Sequence, residues 1–195
     1  MIIGVTGGIC SGKSSVAKMI EGAGFHRVDA DSIAHRLLRK GKGGWRRVVE
    51  AFGRGVLDEE GEIRRKILGE MVFSDPKKRA LLEEILHPMI ERELRGELAK
   101  GGKVVLDAPL LIEKGSHQLV DVLIVVYATE ELQVARMAAR DGIGPEEAKR
   151  RIEAQMPLLE KVSYADYIVN NCADLPYTQE QVERILKEIQ KGGIG

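Results

Sequence analysis

An α/β fold, a parallel sheet layered between helices, is what this sequence predicts, and three observations predict it. Short runs rich in β-branched residues alternate with segments of helical periodicity. Those runs are apolar throughout rather than at every second position, and the first opens into a glycine-rich turn followed by a helical pattern. They are Ile2 to Thr6, Arg27 to Asp29, Val104 to Asp107, Val122 to Tyr127 and Tyr167 to Val169. Continuous apolarity means that both faces are covered, as when helices pack on either side of parallel strands. A five-stranded parallel sheet is expected.

The turn after the first run is Gly7-Gly8-Ile9-Cys10-Ser11-Gly12-Lys13-Ser14, which fits G-x-x-x-x-G-K-[ST] at every position, with Ser15 to Ala23 able to follow as a helix. Glycines let successive backbone N–H groups curl around phosphate oxygens, and the helix N-terminus adds its partial positive charge. The sequence therefore predicts a P-loop NTPase three-layer fold. Gly8, Ile9, Cys10, Ser11, Gly12, Lys13, Ser14 and Ser15 would bind the nucleotide. Lys13 would place a point charge on the β- and γ-phosphates, and Ser14 would give a hydroxyl to Mg²⁺.

The second run ends in Val28-Asp29-Ala30-Asp31-Ser32, at the strand end where open α/β sheets bind ligands. The stretch from there to Val104 is far longer than a crossover helix needs, so a helical insertion is expected at about 41–100. Within it Ser74-Asp75-Pro76 reads as a helix start. Leu81, Leu82, Ile85, Leu86, Met89, Ile90, Leu94 and Leu98 then keep helical spacing, and Pro88 is expected to kink that helix. Thr129 to Lys161 is helical on both sides of a Gly142-Ile143-Gly144-Pro145 break and carries Arg136, Arg140, Arg150 and Arg151. It is expected to form a lid at about 131–161, leaving about 1–40, 101–130 and 162–195 as the nucleotide-binding core of one kinase domain.

With 30 basic and 30 acidic residues the formal net charge is +0, and only 4% of residues are aromatic. That balance argues against nucleic acid as a partner. The longest apolar run, Val122 to Ala128, is too short to span a bilayer, and the N-terminus lacks a cationic leader, so a cytoplasmic protein without a membrane partner is expected. A monomer or weak homo-oligomer is the expected state. Two cysteines without a CxxC exclude a disulfide framework or structural zinc site. No K-x-D occurs, which excludes a guanine-reading switch.

A small phosphotransferase remains, and it needs a carboxylate to orient or deprotonate the acceptor hydroxyl. Asp31 is the candidate, with an ordinary helix cap as the alternative. Asp107 is a candidate Mg²⁺ ligand or a strand-end turn residue. Arg136 and Arg140 share a helical face, to close over the triphosphate or to meet solvent. His87 reads as a packed or capping histidine or as part of the acceptor region.

With these pieces placed, the chain resembles the dephospho-CoA kinase family over nearly its whole length. The stretches that carry the resemblance are Thr6 to Ser14, Val28 to Asp31, Leu86 to Ile90 (LHPMI), Ala108 to Glu113 (APLLIE), Arg136 with Arg140, and Ala165 to Asn171 (ADYIVNN). The resemblance implies transfer of the ATP γ-phosphoryl group to the ribose 3′-hydroxyl of dephospho-CoA. It implies Asp31 as base, Lys13 and Arg140 as further catalytic residues, and Arg136 as an ATP contact. It also implies His87, Pro109 and Leu110 as acceptor contacts. Two departures stand out, because Cys10 and Cys172 occupy positions where the family usually has glycine. A Cys10–Cys172 thiol contact or disulfide and two independent tolerated substitutions are both compatible with that.

Overall fold

The structure is a computed structural model that describes residues 1–192, so the last three residues of the expected core lie outside the described residues. In chain order the elements are β1 (Ile2–Gly7), α1 (Lys13–Gly22), β2 (His26–Asp29), α2 (Ala30–Leu37), α3 (Gly43–Phe52), α4 (Arg65–Ser74), α5 (Pro76–Leu98), β3 (Val104–Asp107), β4 (Val122–Tyr127), α6 (Glu130–Asp141), α7 (Pro145–Glu153), α8 (Leu158–Val162), β5 (Tyr167–Asn170) and α9 (Leu175–Gln190). They form two compact units, Met1–Val28 with Gly101–Gly195, and Asp29–Lys100.

The first unit holds the five-stranded parallel sheet in the order β2-β3-β1-β4-β5. β1 pairs in parallel with β3 and β4, and β4 with β5, each strand falling within a residue of the apolar run that predicts it. Ile3, Val5, Val105, Ile124, Val126 and Val169 are buried against Val16, Ala17 and Ile20 of α1 and Val182, Ile185, Leu186 and Ile189 of α9. Helices on the sheet explain why its strands read as apolar throughout. Central β1 therefore delivers its C-terminal turn from the best-buried part of the unit. Among the described residues no helix is long and apolar enough to cross a membrane.

The second unit is helical, with Val48, Val56, Ile63, Leu68 and Leu86 at its centre and Trp45, Leu82, Ile85 and Ile90 packed around them. Trp45 belongs to this core, and its Nε1 donates to the Gly61 carbonyl at 2.9 Å. Asp75 caps α5 through the N–H groups of Lys77 and Lys78, with Pro76 in the first turn. The helix continues through Pro88 to Leu98. The unit begins at Asp29, so α2 groups with the inserted helices and not with the sheet.

Candidate active site

The phosphate loop is shaped by backbone sterics. Gly12 sits at φ 94° before α1, and a side chain there would collide with the Asn171 amide, so only glycine fits. A Cβ on Gly8 would run into the Gln133 amide, itself buried and donating to the Ala128 carbonyl at 3.0 Å. α1 has no side-chain cap and no acidic residue in its first turn, which leaves its N-terminal N–H groups and dipole for an anion. Cys10, at φ 57°, is the one non-glycine residue with positive φ among the described residues. That conformation costs an L-residue about 1–2 kcal/mol.

Two neighbours hold the loop in place, and a third residue braces one of them. Asn171, directly after β5, donates through Nδ2 to the Ser11 carbonyl at 2.7 Å, and its own amide oxygen accepts from Thr178 at 2.8 Å. Arg136 of α6 donates to the carbonyls of Cys10 and Ser11 at 3.4 Å each and to that of Asn171 at 2.8 Å. The guanidinium expected to face triphosphate thus clamps the loop that would bind it. The loop after β5 meets the phosphate loop through Asn171, and both Cys10 and Cys172 are free thiols, so no disulfide joins them. Burial pushes the Cys10 thiol above its ordinary pKa.

Asp107 ends β3 only 1% exposed. One of its oxygens pairs with Lys13 and the other with Arg27 of β2. The carboxylate therefore orients both cations in a desolvated place. Ser14, in the first turn of α1, is exposed.

After β3, the Pro109 carbonyl accepts from Thr6 Oγ1 at 3.1 Å and from Lys161 Nζ at 2.8 Å. Lys161, in α8, is fully buried and pairs with Glu113 at 2.7 Å. A charge so deeply placed needs such partners. Their effect is to fix the segment carrying Pro109 and Leu110. Arg140, 59% exposed, pairs with Asp141 at 2.7 Å, and that hydrogen bond holds the Asp141 carboxyl below the usual carboxylate range. Arg150 and Arg151 pair with Glu147 of the same helix.

In the second unit, Asp29 caps α2, its Oδ1 accepting from the N–H groups of Asp31 at 2.9 Å and Ser32 at 3.1 Å. Asp31 is the second residue of the helix and exposed, so the cap role weighed for it belongs to Asp29. His87 lies half-buried in α5 and favours the low pKa of Glu91, whose main cause is a hydrogen bond from Arg95.

The family model that matches residues 1–176 is that of dephospho-CoA kinase. Proteins named dephospho-CoA kinase from Oryza sativa and Aquifex aeolicus are 43% and 42% identical to the chain, covering 97% of it and 85% and 97% of themselves. The chain belongs to the dephospho-CoA kinase family. A dephospho-CoA kinase structure from Campylobacter jejuni matches with a TM-score of 0.73 at 29% identity, over 99% of this chain and 98% of that one. A shikimate kinase from Acinetobacter baumannii, 18% identical with a TM-score of 0.55, shares the fold alone. As a dephospho-CoA kinase the protein is a transferase that uses ATP and phosphorylates dephospho-CoA to CoA, the last step of CoA biosynthesis.

Arg27, Gln133 and Lys161 escape a sequence reading of the site. Arg27 leaves one trace, a charge inside a strand run, while Gln133 and Lys161 look like ordinary helical polar residues. Asn171 lies in a stretch that carries the resemblance, yet nothing local tells that its amide would brace Ser11.

Proposed function

We propose that Asp31 accepts the proton of the ribose 3′-hydroxyl of dephospho-CoA as the γ-phosphoryl group of ATP arrives. The observation that carries this is the place of Asp31, exposed in the first turn of α2 directly after the end of β2, with Asp29 and not Asp31 as the helix cap. The loop from Gly8 to Ser15 would bind the phosphates through its N–H groups, and Lys13 would turn from Asp107 to the β- and γ-phosphates. Asp107 and Arg27 would keep Lys13 poised. Arg140, exposed on the hairpin, would exchange Asp141 for phosphate charge, while Arg136 would serve ATP through the loop backbone it holds. Pro109, Leu110 and His87 would contact the acceptor.

The donors fit Mg²⁺. Among the described residues no three acidic, cysteine or histidine side chains could hold a metal on their own. The Ser14 hydroxyl and the Asp107 carboxylate are hard oxygen donors, the kind Mg²⁺ takes together with phosphate oxygens and water. Ser14 would hold it, joined by Asp107 once Lys13 has left one of its oxygens, and the ion would screen the phosphate charge. The helices at about 41–100 would hold the acceptor and those at about 131–161 would close as a lid, excluding water that otherwise hydrolyses ATP. Such an enzyme would work in the cytoplasm as a monomer or weak homo-oligomer, without nucleic-acid or membrane partners.

Mass spectrometry of products from ATP, Mg²⁺ and dephospho-CoA, run beside adenosine and AMP as rival acceptors, tests the reading. CoA from dephospho-CoA alone is the expected result. Phosphorylation of a rival acceptor without CoA overturns it.

A further inference from the structure

The second unit contains a cleft of about 700 Å³, of the size that holds small-molecule ligands, and none of the site residues proposed above lines it. Ser32, His35, Arg36 and Arg39 line it from α2 and the turn after it, Arg65 from the first turn of α4, and Asp58 and Glu62 from the loop before α4. Among the described residues the side chains of His35, Arg36, Arg39 and Arg65 make no hydrogen bond or ion pair. The two carboxylates are engaged by backbone. Asp58 accepts from the N–H groups of Glu60 at 3.1 Å and Glu62 at 2.8 Å, and Glu62 accepts from that of Lys40 at 3.1 Å. Three uncommitted guanidinium forks around one concavity are a site for a phosphate-type anion.

We infer that this cleft seats the pyrophosphate of the acceptor, an assignment that rests on the functional reading above. The spacing supports it. Asp31 and His35 stand one turn apart on one face of α2, a rise of about 6 Å, and Arg36 follows directly. In dephospho-CoA the reacting 3′-hydroxyl and the 5′-pyrophosphate hang from the same ribose, a few bonds apart. One short helix can therefore hold the base and the first anion contact in register. Arg65 and Arg39 would close the cleft around the second phosphate. Charge-assisted forks would thereby select acceptors with a 5′-pyrophosphate over plain nucleosides.

Calorimetric titration of dephospho-CoA, ATP and inorganic pyrophosphate into the wild type, Arg36→Gln/Arg39→Gln and Arg65→Gln, with circular dichroism to confirm folding, tests the assignment. A rise of at least about tenfold in the dephospho-CoA Kd in both variants is expected, with the ATP Kd unchanged. Steady-state KM for dephospho-CoA should rise in parallel, while kcat changes little. Arg65→Lys should recover part of the affinity, because it restores charge without the fork. Should either glutamine variant fail to fold, the salt dependence of the wild-type dephospho-CoA Kd decides, and a flat dependence overturns the proposal. Unchanged dephospho-CoA affinity in folded variants overturns the pyrophosphate assignment and leaves the kinase reading intact. A wild type that binds inorganic pyrophosphate but not dephospho-CoA overturns both.

Discussion

The phosphate loop and the cleft of the inserted unit are both basic, and they hold their cations in opposite ways. Around the loop, Lys13 and Arg27 lie against Asp107, and Arg136 against three carbonyls. In the cleft, Arg36, Arg39 and Arg65 have no such partner among the described residues. Paired cations are held before any ligand arrives, so ATP would meet a loop that Arg136 already keeps in shape and a Lys13 that has only to exchange Asp107 for phosphate. Unpaired arginines keep their rotamer freedom and lose it to the ligand, which lowers affinity but lets the acceptor itself complete the site.

The comparison can be broken most forcefully at Lys13. Lys13→Ala removes the charge proposed to meet the β- and γ-phosphates and is expected to cut turnover at least about 10³-fold in a CoA-formation assay. Retention of a tenth of the activity would mean that the loop's cations are structural. Next in size, Lys161→Ala strands the Glu113 carboxylate and is expected to cost about 3 kcal/mol in urea unfolding, since removing one partner leaves a buried charge uncompensated. Lys161→Met with Glu113→Leu should recover most of that loss, and a single-variant loss under about 1 kcal/mol would show the pair to be idle. The smallest effect belongs to Cys10. Cys10→Gly relieves the left-handed strain but adds freedom to the unfolded chain, so stability should move by under about 1 kcal/mol with kcat preserved. A large fall in kcat would show that the side chain itself serves the site.

Strand positions and the phosphate loop were legible because both follow local rules: apolar runs of strand length, and glycine where backbone must curl. The capped start of α5 at Asp75 and Pro76 was legible for the same reason. Residues whose meaning comes from a distant partner were not. Arg27 and Lys13 meet on Asp107 across β2, α1 and β3, and Lys161 reaches Pro109 and Glu113 from another part of the chain. Arg136 illustrates the limit well: its helical face was readable, but whether the guanidinium meets phosphate or loop carbonyl depends on where β5 leaves Asn171. Asp29 and Asp31 are likewise equivalent in composition, and only the backbone turn decides which of them caps.

Asp31→Asn tests the central claim most directly, with kcat for CoA formation and the Kd for ATP measured on the same preparation. The account predicts a kcat at least about 10²-fold lower, as loss of a general base entails, with the ATP Kd unchanged because the phosphate loop is untouched. A kcat near that of the wild type would contradict it and return the proton to water or to another side chain.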